Sequence, residues 1–190
     1  MTAKTIREED LPRGDLWVFG YGSLMWSPGF AFEEQAAARL RGAHRALCVY
    51  SVVHRGTQAK PGLVLGLDKG GACKGVAFRV TPGAEDETIA YLRAREQVTD
   101  VYVEAIRPVT LLDGSGRTLR ALCYLVDRSH EQYAGKLSIP EQLAIIRTGK
   151  GQAGGNIEYV LRTFQHLEDA GAHDPLLSEL VMALRDQTET

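Results

Sequence analysis

The stretch Leu16-Trp17-Val18-Phe19-Gly20-Tyr21-Gly22-Ser23-Leu24-Met25-Trp26 limits what this chain can become more than any other part of it. Four apolar residues in succession, Leu16 to Phe19, read as a fully buried strand. Two glycines bracketing a tyrosine, followed by Ser23, then break the strand. Glycine at 20 and 22 allows a backbone with φ > 0, or a close approach of the chain to another molecule. Successive N–H groups in such a turn can converge on one concavity and hold an anion. The stretch therefore predicts either a core strand ended by a tight turn, or a core strand that delivers a backbone anion-binding loop to a pocket. It is not a dinucleotide-binding fingerprint, because the third glycine of G-x-G-x-x-G would fall at Met25.

A chain of 190 residues can bury a core without staples, and residues 1–190 read as a single domain. The net charge of −2, with no local Lys/Arg cluster in the sequence, argues against a nucleic-acid partner. No segment approaches 18 continuous apolar residues, so no membrane helix is expected. Residues 1–14 are polar, mixed in charge and lack the apolar run of a signal peptide. They read as a loose N-terminal arm. Cys48, Cys73 and Cys123 lie far apart, in or beside strand-like segments. They read as reduced, structural cysteines of a cytoplasmic protein. The histidines His44, His54, His130, His166 and His173 show no metal-ligand spacing, so no metal is expected.

Further along, residues 33–41 are open between helix, favoured by Gln35-Ala36-Ala37-Ala38-Arg39-Leu40, and an extended segment. His44 to Val53 is strand-like, with His44, Ala46, Cys48 and Tyr50 on one face and Arg45, Leu47 and Val49 on the other. His44 and Cys48 lie too far apart on one strand to form a catalytic pair. Leu63–Leu67 and Gly75–Val80 read as short strands with a turn at Lys69-Gly70-Gly71. Glu85 to about Gln97 reads as a helix. Val101–Leu112 and Leu119–Val126 read as a hairpin closed by Asp113-Gly114-Ser115-Gly116. Ser138 and Glu141 form a capping box that opens a helix to about Thr148. Asn156 reads as the N-cap of an amphipathic helix carrying Ile157, Val160, Leu161, Phe164 and Leu167. Leu176 to Leu184 reads as a last helix. Gly149-Lys150-Gly151 lacks the upstream glycine of a phosphate loop.

One carboxylate stands out. On the Glu85–Gln97 helix, Ile89, Leu92 and Glu96 fall within one stripe, and Glu87 on the opposite side. A carboxylate turned toward a core is costly unless paired. Burial would raise its pKa and make it a better base near neutral pH. The alternative is an ion pair at the helix end with Arg93 or Arg95.

Four ordered motifs resemble the ChaC-type γ-glutamylcyclotransferases: Phe19 to Trp26; His54-Arg55-Gly56-Thr57 with Lys60-Pro61-Gly62; Tyr91-Leu92-Arg93-Ala94-Arg95-Glu96; and Asn156 to Tyr159. Gln97 and Val98-Thr99-Asp100 depart from the pattern of many relatives. The resemblance implies an α+β fold, a small, mostly antiparallel β-barrel with surrounding helices. It implies cyclisation of a γ-glutamyl compound, reduced glutathione in this branch, to 5-oxoproline, without a cofactor. Glu96 would be the general base. Tyr21, Gly22, Ser23, Leu24, Met25 and Trp26 would form the substrate loop. Tyr102 and Tyr133 are candidate donors in the pocket, and Arg55 a candidate partner for a substrate carboxylate. The expected partner is thus a small molecule. The alternatives are a cyclotransferase for other γ-glutamyl amines and a non-catalytic binding protein on the same fold.

Overall fold

The computed structural model describes residues 5–186. Five strands, β1 (Trp17–Gly20), β2 (Phe32–Ser51), β3 (Gly62–Val80), β4 (Tyr102–Leu111) and β5 (Thr118–Val126), close a barrel in the order β1-β3-β2-β4-β5. Four helices accompany it: α1 (Glu85–Glu96), α2 (Ile139–Thr148), α3 (Asn156–Asp169) and α4 (Pro175–Asp186). The fold is α+β. Among the described residues no helix is long and apolar enough to cross a membrane. The chain clusters into two compact units, one from the segments up to Ala46 and Leu67–His130, the other from Leu47–Gly66 and from Glu131 onward.

In the first unit, β1 runs antiparallel to β3, with Trp17 opposite Arg79 and Gly20 opposite Val76, and parallel to β5, with Val18 opposite Leu122. The β4–β5 hairpin has the expected turn, where the Asp113 carboxylate accepts from the amide and hydroxyl of Ser115. Strand alternation sends Leu16, Val18, Leu122 and Tyr124 to one face, where they meet Ile89 and Leu92 of α1 and Leu24. Leu92 is fully buried there, which contributes about 2 kcal/mol. Leu11 joins this cluster and the backbone of Ile6 is bonded on both sides. Its N–H donates to Glu104 (2.8 Å) and its carbonyl accepts from Arg93 (2.8 Å). Glu104, with no exposed side chain, is paired with Arg93 at 2.9 Å. Ile6 and Leu11 thus tie part of the expected N-terminal arm to the barrel. Residues 1–4 of that arm lie outside the described residues.

Residues 33–41 are extended, as part of β2. Ala38, Arg39 and Leu40 pair with Leu111, Thr110 and Val109 of β4, so sheet partners override the local preference for helix. The buried positions switch from even (Ala38, Leu40) to odd (Ala43, Arg45, Leu47) around Gly42, as at a bulge. The turn expected at Lys69-Gly70-Gly71 is not formed, because β3 runs through it. Gly70 and Gly71 hold φ of 102° and 69°, values that only glycine takes readily, and distort the strand without reversing it. Cys48, Cys73 and Cys123 are free and buried. Burial pushes the Cys123 thiol up to about 12.

In the second unit, α3 packs with α2 and α4. The capping box is present: the Glu141 carboxylate accepts from both the amide (2.7 Å) and the hydroxyl (2.6 Å) of Ser138. Asn156 is not an N-cap. It is the first residue of α3, fully buried, with Gly155 at the cap. Its side chain accepts from the Leu63 amide (2.6 Å) and donates to the Leu63 carbonyl (2.7 Å), pairing with β3 as a neighbouring strand would. The buried face of α3 is accordingly Asn156, Val160, Thr163 and Leu167, and Ile157 is exposed. Truncation by Asn156→Ala leaves two buried backbone groups unpaired. Urea unfolding should show a loss of about 3 kcal/mol.

Candidate active site

The chain after β1 turns at once into a single turn of 3₁₀ helix, Ser23–Met25. The amides of Met25, Trp26 and Ser27 are used within it, on the carbonyls of Gly22 and Ser23. The leading amides, those of Ser23 and Leu24, stand outside these internal bonds, as at any helix start. Neither glycine takes a positive φ; Gly22 has φ −132°. The requirement at Gly20 is space. A Cβ there would stand 3.1 Å from Leu24 Cβ and 3.2 Å from the Met25 nitrogen. The close approach foreseen from the sequence is thus made by the chain to itself. Leu24 anchors the turn in the cluster under α1, and Ser23 is exposed.

Beneath the turn lies Arg45, only 6% exposed. Its Nε donates to the Tyr21 carbonyl (2.6 Å) and its Nη2 to the Lys74 carbonyl (2.7 Å), with the Met25 sulfur at 3.7 Å. Because the peptide is planar and trans, a Tyr21 carbonyl aimed at Arg45 sends the Gly22 N–H the opposite way. Arg45 lies outside the motifs that point to the site in the sequence. The available signal was its place on the same strand face as Leu47 and Val49, a charge in an apolar row.

The helix α1 brings the second element. Glu96, at its C-terminal end, shares the face of Ile89 and Leu92 and is 17% exposed. Arg95 Nε pairs with its carboxylate at 3.2 Å. The same guanidinium donates to the Ser23 hydroxyl (2.8 Å), the Ser27 carbonyl (2.8 Å) and the Tyr91 hydroxyl (2.7 Å). One cation therefore holds both the loop and the carboxylate. Burial raises the Glu96 pKa above the ordinary carboxylate range, and the charge and hydrogen bond of Arg95 oppose that rise. The result is a partly shielded carboxylate with a raised proton affinity beside a set of loop donors. Such an arrangement can accept a proton while the loop amides steady an anionic oxygen.

Of the other candidates, Tyr102 is half-buried against the same cluster as Leu92 and Tyr124. Tyr133 and Arg55 belong to the second unit. Tyr133 bridges to Val49. Arg55 donates to the Ala153 carbonyl (2.5 Å) and lies 5.2 Å from the centre of the Tyr159 ring. The Tyr159 hydroxyl in turn accepts from the Leu65 amide.

The family model described as ChaC-like protein matches residues 16–187. The chain is 33% identical over 172 residues to the glutathione-specific γ-glutamylcyclotransferase of Escherichia coli K12, covering 90% of this chain and 74% of that protein. It is 33% identical over 184 residues to human glutathione-specific γ-glutamylcyclotransferase 1, covering 91% and 82%. In fold it is similar to a solved yeast γ-glutamyl cyclotransferase specific to glutathione, with a TM-score of 0.80 at 23% identity, covering 92% and 99%.

Arg45→Met tests what holds the loop. Exchange of the Met25, Trp26 and Ser27 amides, which are bonded within the turn, should accelerate at least about tenfold, while global stability changes by no more than about 2 kcal/mol. Unchanged exchange there would mean that Arg45 is not the anchor.

Proposed function

The chain belongs to the ChaC-like family, and on that premise we propose that it is a γ-glutamylcyclotransferase that cleaves reduced glutathione to 5-oxoproline and Cys-Gly. The observation that carries this reading is the joint hold of Arg95 on Glu96 and Ser23. The γ-glutamyl α-amine attacks the γ-carbonyl carbon of its own molecule. Glu96 takes a proton from the α-ammonium and so frees the lone pair that forms the C–N bond. The amide bond to cysteine then breaks, the departing nitrogen receives that proton from the protonated Glu96, and the second proton shed by the cyclised nitrogen leaves with it, so that 5-oxoproline carries a neutral amide N–H and Cys-Gly an ammonium. Atoms and charge balance without a redox step. Nucleophile and electrophile share one molecule, so holding the substrate folded on itself removes several kcal/mol of barrier and no cofactor is called for. The amides of Gly22, Ser23 and Leu24 would face the substrate carboxylate or the developing oxyanion. Tyr102 is the candidate for a further donor. We read the chain as one functional domain, supported by the family match over residues 16–187. We place it in the cytoplasm, supported by its three free cysteines.

Glu96→Gln should keep the fold and lower kcat at least about 10²-fold. A carboxyl whose pKa is raised on folding is worse off ionised in the native state, so native stability falls as pH rises through that raised pKa. At neutral pH the glutamine variant should therefore melt no lower than wild type. Activity within a few-fold of wild type would remove Glu96 from the mechanism. In wild type, kcat/KM should fall on acidification with an apparent pKa above that of an exposed glutamate, since only the ionised form is a base. Arg95→Met removes the opposing cation and should move that limb to higher pH.

Specificity is tested by kcat/KM for reduced glutathione, oxidised glutathione and γ-glutamyl-alanine. A site that pairs polar groups with Cys-Gly can reject an analogue lacking them by about 10⁴-fold. Reduced glutathione should be preferred, and full activity should persist in excess EDTA. Equal turnover of γ-glutamyl-alanine would favour a general cyclotransferase.

A further inference from the structure

We propose that the first unit carries a second ligand site, on the face of β4 turned away from α1, that binds a small organic anion with an apolar body. A cavity of about 960 Å³ opens there among β2, β3, β4 and the end of β5. Its floor is apolar, formed by Leu40, Ala43, Leu67, Val103 and Leu125. Its rim carries Arg41, Lys69, Arg107 and Arg128, with His130, against a single acid, Asp127. Arg128 is paired with the Asp68 carboxylate, and Arg41, Lys69 and Arg107 against Asp127 still make this a basic mouth on a chain whose net charge is −2. The cations are far apart in sequence, which is why no Lys/Arg cluster shows there.

The site is separate from the one around Glu96. None of Tyr21–Trp26, Arg45, Arg95 or Glu96 lines the cavity. Strand alternation gives the reason. Glu104 and Ile106 of β4 face the cluster under α1, so Val103 and Arg107 face the other way. The mouth is also partly built. Asp68, 7% exposed, accepts from Arg128 Nε at 2.6 Å, and the Lys69 carbonyl accepts from Arg128 Nη2 at 3.1 Å. These two bonds fix that guanidinium at the rim. Asp127 is turned to its own loop, accepting from the amide and hydroxyl of Ser129.

The chemistry of the lining selects the class of ligand. A bare inorganic anion would satisfy the rim and leave the floor wet. A neutral apolar molecule would fill the floor and strip water from the cations without replacing it. A ring or short acyl body carrying a carboxylate or phosphate satisfies both, and the volume lies within the range of small-molecule pockets. This assignment does not depend on the reaction proposed above.

The probe is 1-naphthyl phosphate, followed by calorimetry, with 1-naphthol and inorganic phosphate as the body-only and charge-only controls. One molecule should bind per chain, at least about tenfold more tightly than either control, and binding should weaken with added salt. Both Arg41 and Arg107 are exposed, so the double variant Arg41→Gln/Arg107→Gln should fold, as circular dichroism and melting will show. It should bind the probe at least about tenfold more weakly. Glu96→Gln and Gly22→Val should bind it as wild type does. No saturable binding to wild type overturns the proposal. So does equal binding by the double variant, or binding lost in Glu96→Gln or Gly22→Val, which would put the probe in the other site.

Discussion

The guanidinium of Arg95 is the group on which the candidate active site depends. Its bonds to Ser23, Ser27, Tyr91 and Glu96 join the end of a helix to the turn that follows a strand. A planar fork with five donors can do this, and a lysine ammonium at the same place would meet fewer partners in fixed directions. The arrangement also sets two opposing influences on one carboxylate. Desolvation favours the protonated form of Glu96, and the adjacent cation favours the ionised form. A base needs both: proton affinity near the working pH, and enough of the ionised state to act.

A second arginine completes the frame from below. Arg45 has no room to sample water, and its donors are committed to the carbonyls of Tyr21 and Lys74. The Tyr21 carbonyl, drawn inward, leaves the Gly22 amide directed outward. The loop owes its donor face to this inward pull as well as to its glycines. Rigidity at such a place has a physical value, because donors that are already oriented need not reorganise as charge develops.

Much of this was legible in the chain itself. Leu16 to Phe19 declares a buried strand, and the interruption at Gly20 declares its end. Glu96 is visible because Ile89 and Leu92 fix which side of its helix is apolar. The β4–β5 turn and the Ser138 capping box are local devices, and local devices read well. What failed to read was decided by contacts distant in sequence. Residues 33–41 carry alanines that favour helix, and only their partners in β4 make them strand. Gly70 and Gly71 look like a turn, but β3 continues through them. Asn156 sits where an N-cap would, and its actual work is done on Leu63, across 93 positions. Arg45 could have been noticed by its face, but nothing local says that two carbonyls await it. The conformation of Gly22 was read from residue type alone, and residue type states what is allowed rather than what is used.

The three buried thiols have a consequence for a protein whose proposed substrate is itself a thiol. Exchange between a protein cysteine and a disulfide requires a thiolate with access to the sulfur it attacks. With its thiol pushed well up by burial, Cys123 stays protonated at neutral pH. Cys48 and Cys73 are likewise enclosed. A rise in oxidised glutathione around the protein would therefore meet a surface without a ready sulfur among its cysteines. Mixed disulfides would form elsewhere first, and the protein would keep its own redox state through changes in that of its surroundings.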